Sequence, residues 1–405
     1  RYIGDWSSDV CSSDLILYLS YDGVLEPLGS SQVLNYVLGL AKSYNFILYS
    51  FEKPYDLKDT KRVSAVSKII KNSGIKWIKS IYHKSPTTLA TLYDLFILLS
   101  NLILILSFNR IGTIHLRGYL LGIPLLILKK FFKFKLIFDM RGFWADEKAD
   151  RAGWNRSGYK YIFFKAIEKK LLKSADKIIT LTDHSREFLV KEHKVSQKVI
   201  TTIRTCADEN VFKKIKKDEG QTIRFGYLGT LDTAYNFQKV LNFFNLFSQK
   251  HRDAYLDIYS STPESKIMSI ARETGFKDLE KISIKFIRDK KELVSQINNF
   301  NACIFYLNEN FSVKASMPTK IGEVLMCGVP IICNRFNDDI EYLTKQGCGI
   351  ITNFAKGDIE KVFEFVNPNN NKEKLNLKCI EIGKKEFSLK SGLKLYTSIY
   401  EELSK

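Results

Sequence analysis

The sequence predicts an α/β protein of two doubly wound domains joined by a linker. Three observations carry this. Near the start, an apolar strand at residues 16–19 runs into a glycine-bearing loop, a helix and a second strand. The same order begins again with a strand at 223–228. Between the two halves, residues 208–221 carry KKIKK and few bulky apolar side chains, as a linker does. The 405 residues suffice for two domains of roughly 200 each, and a hydrophobic content of 45% supports two sizeable cores.

In chain order, the first loop reads YDGVLEPLGSSQ, and the helix after it sets Val33, Leu34, Val37, Leu38 and Leu40 on one face. Strand 46–51 follows. The loop is not G-x-G-x-x-G, which argues against a nicotinamide site. Further strands are expected at 113–116, 135–139, 177–181 and 198–203, with helices between them. In the second half, Gly229 and Thr230 make a turn after the first strand. A helix with Val240, Leu241, Phe243, Phe244 and Phe247 comes next, then strands at 256–260, 282–286, 302–306 and 331–333. Residues 389–403 form a closing helix. An Asn run at 367–371 is the one low-complexity patch. The expected domains are 16–207 and 222–386, with 387–405 as a helix returning to the first.

Residues 92–108 are very apolar but interrupted by Asp94, Ser100, Asn101 and Ser107. The run is short for a membrane span, which takes about 20 residues, and reads as a buried or a membrane-surface helix. KKFFKFK at 129–135 alternates cations with aromatics. It suits either an interfacial patch or a solvated helix end leading into a strand.

The formal net charge is +18. Two readings stand: a lysine-rich proteome, or attraction to anionic ligands and an anionic membrane face. Nucleic acid is not expected as a partner, because no zinc-ligand spacing, RNP-type motif or helix-turn-helix signature is present. Seven cysteines, unevenly spaced and without C-x-x-C, read as small core residues of a reducing cytoplasm. The opening fifteen residues, RYIGDWSSDVCSSDL, lack the basic and apolar regions of a signal peptide. They resemble translated sequencing-adapter sequence and are read as a non-native leader.

The stretch KASMPTKIGEVLMCGVPIIC at 314–333 carries the most chemistry. Pro318 reads as the first helical residue, Ile321, Val324 and Leu325 recur at helical spacing, and Gly328 and Pro330 stop the helix before a buried strand. Lys314, Ser316, Thr319 and Lys320 therefore gather at the positive end of a helix dipole, a place for a phosphate. Glu323, one turn in and facing inward, suits a pair of sugar hydroxyls. Phosphate and ribose together suggest a nucleotide. In the first half, Arg141, Asp146 and Glu147 follow a strand end, where open α/β sheets place ligands. Trp144 and Trp154 offer a sugar-stacking face or belong to the core. His115 ends a strand near Arg117 and is either structural or at a cleft border. Asp183-His184-Ser185 and Asn337-Asp338-Asp339 read as helix starts.

Four motifs, YDGVLEPLGSSQVL, FDMRGFWADE, YLGTLDTAYN and SMPTKIGEVLMCGVPII, together with the closing FSLKSGLKLYTSIYEEL, resemble family-4 retaining glycosyltransferases of bacterial surface-polysaccharide assembly. The resemblance implies the GT-B fold, two Rossmann-like domains facing across a cleft. It implies a nucleotide-diphosphate sugar as donor, held by Lys314, Ser316, Thr319, Lys320 and Glu323. Gly229 and Thr230 would form the donor floor, and Gly29, Ser30 and Ser31 would approach from the other domain. Arg141, Asp146 and Glu147 take the catalytic positions, and His115, Arg117 and Trp144 the acceptor side. A lipid-linked glycan acceptor, a cytoplasmic enzyme peripheral on the inner membrane, and no cofactor or metal are further implied. Two departures from the family pattern are Ala315, where a first glutamate usually stands with seven residues between it and the second, and Arg141, where many members have histidine. Two other readings share the fold: a sugar-nucleotide epimerase, and a catalytically degenerate partner protein.

Overall fold

A computed structural model describes residues 15–216, 222–231, 234–276, 278–367 and 372–405. Residues 1–14 of the expected leader, the end of the linker and most of the Asn run lie outside these. The first sheet contains β1 (Leu15–Ser20), β2 (Phe46–Glu52), β3 (Lys76–Ile81), β4 (Ile111–Arg117), β5 (Lys135–Asp139), β6 (Lys177–Thr180) and β7 (Ile200–Thr202). All pairings are parallel, in the order β3-β2-β1-β4-β5-β6-β7. The second contains β8 (Ile223–Leu228), β9 (Ala254–Tyr259), β10 (Ile282–Lys285), β11 (Ala302–Phe305), β12 (Ile331–Cys333) and β13 (Gly349–Ile351). It is also parallel, in the order β10-β9-β8-β11-β12-β13.

Helices cover both faces of each sheet, so the central strands are near-continuous apolar runs. All of FILYSFE in β2 and ACIF in β11 is buried. Strand order reverses between β1 and β4 and between β8 and β11, and ligands of doubly wound sheets bind at the carboxyl ends beside such switch points. Register brings Ser20, Arg117 and Asp139 side by side at that edge of the first sheet.

Three expectations need correction. Edge strands β3 and β13 were not foreseen. The first helix begins at Pro27, not after the loop, and runs through Pro27–Gly29, a π turn at Ser30–Leu34, and Asn35–Leu40 without a break. Gly29, Ser30 and Ser31 are thus helical. A Cβ on Gly29 would meet the Gly23 carbonyl oxygen at 1.9 Å, so glycine is set there by close packing on the preceding turn. The apolar helix begins at Thr87 rather than 92 and ends at Phe108, giving 22 residues, long and apolar enough by composition to cross a membrane.

The closing helix, Leu389–Ser404, packs on the Asn35–Leu40 helix of the first domain. Its Tyr396 and Tyr400 are buried there, and the Tyr400 hydroxyl lies 2.7 Å from His115 Nδ1. Segment 311–318 of the second domain reaches across in the same way. Ser312 N donates to Asp150 Oδ2 (2.9 Å), Thr182 Oγ1 to the Lys314 carbonyl (3.2 Å) and Thr205 Oγ1 to the Met317 carbonyl (2.9 Å). Phe143 and Phe311 stack at 5.3 Å.

Candidate functional site

The carboxyl edges of the two sheets face each other across a branched cleft with three connected chambers. The first, about 330 Å³, places Ser31 and Asn35 of the first domain opposite Thr319, Lys320 and Glu323. The second, about 360 Å³, shares Thr319 and Lys320 and adds Gly229, Thr230, Tyr235, Ser316 and Arg151. The third, about 280 Å³, lies on the first domain between Arg117, Arg141, Tyr119, Trp144 and Glu147.

The helix Thr319–Met326 builds the second-domain side. Pro318 is its N-cap rather than its first residue, and no side chain caps the first turn. That end therefore presents backbone N–H groups and the positive end of the dipole to the chamber. Lys320 Nζ donates to Glu323 Oε2 at 2.9 Å. Glu323 is 8% exposed, held on the inward face by the helix period. Gly229, at φ 138, turns the chain off β8 so that backbone rather than a side chain floors the chamber.

The first-domain side is organised differently. Asp139, at the end of β5, is fully buried. Around it stand Arg141 NH1 (3.6 Å), Arg117 NH1 (3.7 Å) and His115 Nε2 (3.7 Å). Burial favours the neutral acid, but Arg141, His115 and Arg117 together hold its carboxyl below the usual range. Burial also lowers the pKa of His115 and keeps it neutral. His115 stacks on Tyr18 at 4.3 Å in the interior. It is therefore a core residue, the structural alternative of the two, and not the acceptor-side group that the resemblance implied. Arg141 sits at φ 56, a conformation rare for a side-chain-bearing residue, which turns its guanidinium back toward Asp139 while it still lines the third chamber.

Four other expected positions are displaced. Asp146 is 2% exposed and lines none of the three chambers; it accepts from Arg156, Tyr161 and Lys165 at 2.8, 2.6 and 3.1 Å. A carboxylate so fully engaged joins two helices and is not available to a reacting group. The Lys314 side chain is exposed and lines no chamber, while its carbonyl serves the domain contact. Ser30 and Gly29 do not line the chambers either, leaving Ser31 from that trio. Glu147 does line the third chamber and accepts from Arg151 at 2.8 Å. Trp144 has one face on that chamber and stacks with Tyr119 at 6.3 Å.

Ala315 is wholly buried within the first-domain core cluster, with its carbonyl 3.8 Å from where a Cβ on Gly142 would lie. The position that carries a glutamate in the resembled family is here part of the domain junction. Three contributors escaped the sequence reading: Asp139, Arg151 and Glu52. Glu52 is buried and accepts from Val24 N (2.9 Å) and Leu25 N (3.1 Å), fixing the loop before the first helix. Asp139 stood inside FDMRGFWADE, two residues before Arg141, and a charged residue ending a buried strand was the signal available. Among the described residues no group of three or more metal-ligating side chains occurs, and Asp183 and Asp338 begin helices as expected.

No protein-family model matches the chain, and no curated protein matches it in sequence. Solved structures do match its fold. A glycosyltransferase from Rickettsia africae superposes with a TM-score of 0.71 at 14% identity, covering 98% of this chain and 100% of that one. Anabaena HepE in complex with UDP and glucose gives 0.66 at 9% identity, covering 96% and 99%. A Listeria monocytogenes chain assigned as a UDP-N-acetylglucosamine 2-epimerase gives 0.60 at 10% identity, covering 96% and 97%. The chain has the GT-B fold.

Proposed function

We propose that the protein is a retaining glycosyltransferase that moves a sugar from a nucleoside-diphosphate sugar to a lipid-linked glycan acceptor of a bacterial surface polysaccharide. One observation carries the donor half: the uncapped start of the Thr319–Met326 helix, with Lys320 and Glu323 side by side, opens on a chamber closed by Ser31 of the other domain. In this reading the diphosphate lies on the helix N-terminus with Lys320, and the ribose hydroxyls bond Glu323. HepE, which shares the fold, binds UDP and glucose.

The acceptor enters the third chamber, where Trp144 supplies a flat face and Glu147, Arg117 and Arg141 supply polar groups. Its hydroxyl attacks the anomeric carbon from the side that the diphosphate leaves. The bond from that carbon to the phosphate oxygen breaks, the new glycosidic bond forms, and a leaving phosphate oxygen takes the hydroxyl proton. Helix-end N–H groups and Lys320 stabilise the charge growing on the diphosphate, a role that needs no metal. The basic balance of the chain supports work at the anionic cytoplasmic face of the inner membrane.

The test is release of nucleoside diphosphate from a panel of nucleotide sugars, with and without lipid-linked acceptor. Acceptor-dependent release is expected. Interconversion of the sugar on an intact nucleotide would instead assign an epimerase. Buried Ala315 favours a second reading, a GT-B partner protein without turnover, and absence of release from every donor in folded protein would establish it.

A further inference from the structure

The Thr87–Phe108 helix is apolar on both sides. One side, with Leu98, Leu102 and Ile105, packs on the first sheet. The other carries Leu89, Leu92, Tyr93, Phe96, Ile103, Leu104 and Phe108, each between 43% and 81% exposed. Their spacing of three, four and seven residues makes one stripe along the helix. Only 28% of the helix's apolar window is buried, unlike a core helix. The helix Gly122–Leu128 lies beside it, and Tyr159–Ser174 beside that one in turn. These neighbours add exposed Ile127, Phe131, Tyr159, Ile162 and Phe163 to the same layer.

Cations frame this surface. Lys130 and Lys133 flank Phe131, and Lys170 and Lys173 continue the helical stripe of Tyr159 and Ile162. All four are exposed, and none pairs with a carboxylate among the described residues. The one acid of the apolar helix, Asp94, is turned away and buried. It accepts from the Tyr21 hydroxyl at 2.9 Å and lies 2.6 Å from His83 Nδ1.

We infer that this three-helix layer rests on an anionic phospholipid bilayer, with the Thr87–Phe108 helix lying in the plane of the interface rather than crossing it. The tied-down Asp94 and the face packed on the sheet exclude a span without dismantling the domain. Apolar side chains entering the headgroup boundary and unpaired lysines facing lipid phosphates are the chemistry of that surface. The placement also joins membrane and cleft. Tyr21, which bonds Asp94, lines the third chamber, and Trp144 on the same chamber meets Phe164 of the outer helix at 4.7 Å. The bilayer thus meets the protein beside the chamber assigned to the acceptor.

Flotation with vesicles of phosphatidylcholine alone, or with phosphatidylglycerol added, tests this on the whole chain. The wild type is expected to float with the anionic vesicles and to release as salt rises. A Leu92→Glu/Phe96→Glu variant is expected to bind at least tenfold less while melting and binding nucleotide as the wild type does. Lys130→Glu/Lys133→Glu is expected to bind the anionic vesicles several-fold less. Wild-type protein that stays unbound with both vesicle types, or a Leu92→Glu/Phe96→Glu variant that floats equally well, overturns the inference. A solution dimer that this variant breaks, without vesicle binding, would give the face to a second copy instead. The inference is independent of the proposed reaction: vesicle binding fails or succeeds whatever the turnover assay shows.

Discussion

The two walls of the cleft are built from the same strand-edge architecture and use charge in opposite ways. On the second domain, Lys320 and Glu323 pair with each other and line the first chamber. On the first, Arg117 and Arg141 are drawn back onto buried Asp139, with His115 and Tyr396 closing the cluster from behind. A helix N-terminus needs no further support to present charge, because its backbone already supplies the field. A strand end supplies none, so charged side chains there are held by a buried counter-charge. The first wall should therefore show its mutational cost in stability, and the second in ligand binding.

The largest effect is expected at Arg141. Its removal leaves Asp139 buried beside one guanidinium and a neutral histidine, and breaking such a cluster costs about 3–5 kcal/mol. Urea unfolding of Arg141→Ala should show that loss, and a loss under about 1 kcal/mol would mean that the residue belongs to the presented kind. Next comes Ala315→Glu, which restores the residue of the resembled family at a fully buried junction. A carboxylate forced in there should cost roughly 3 kcal/mol and loosen the domain contact rather than improve turnover. Thermal melting and steady-state rates on the same sample check both parts.

Asp146→Asn should lower stability by roughly 1–2 kcal/mol, since three donors lose a charged acceptor, while kcat stays within about twofold. A large fall in kcat with unchanged stability would return Asp146 to the cleft. The smallest effect is pH-dependent. Unfolded His115 takes a proton near pH 6.5, whereas burial lowers its folded pKa. The unfolded chain then binds more protons, so stability is lost as pH falls through about 6.5 toward the folded pKa. His115→Asn should flatten the decline between pH 7 and 5, read as a smaller pH dependence of the urea midpoint. His193 and His251, whose pKa values burial also lowers, act in the same direction.

The helix Thr319–Met326 and its inward Glu323 were legible because helical period, proline and glycine all act locally. The central strands were legible because burial on both faces makes them continuous apolar runs. β3 and β13 were not. KWIKSI in β3 is polar on half its positions and GII in β13 is three residues long, and both are edges, where one neighbour is missing and the apolar demand is weak. Asp146 and His115 were misplaced for a different reason. Motif position fixes which strand end a residue follows, not which way its side chain turns. That direction is set by partners far away in the chain, Tyr161 and Lys165 for one and Tyr400 for the other.

The proposed donor site makes the second-domain wall the holder of a nucleoside diphosphate. Calorimetric titration of UDP, GDP, ADP and CMP into wild type, Lys320→Ala and Glu323→Ala tests it most directly. One diphosphate is expected to bind the wild type, and either substitution to weaken it by about 10- to 100-fold, the scale of a lost charge-assisted hydrogen bond. No binding of any nucleotide to folded wild type, or equal binding by all three proteins, would contradict it.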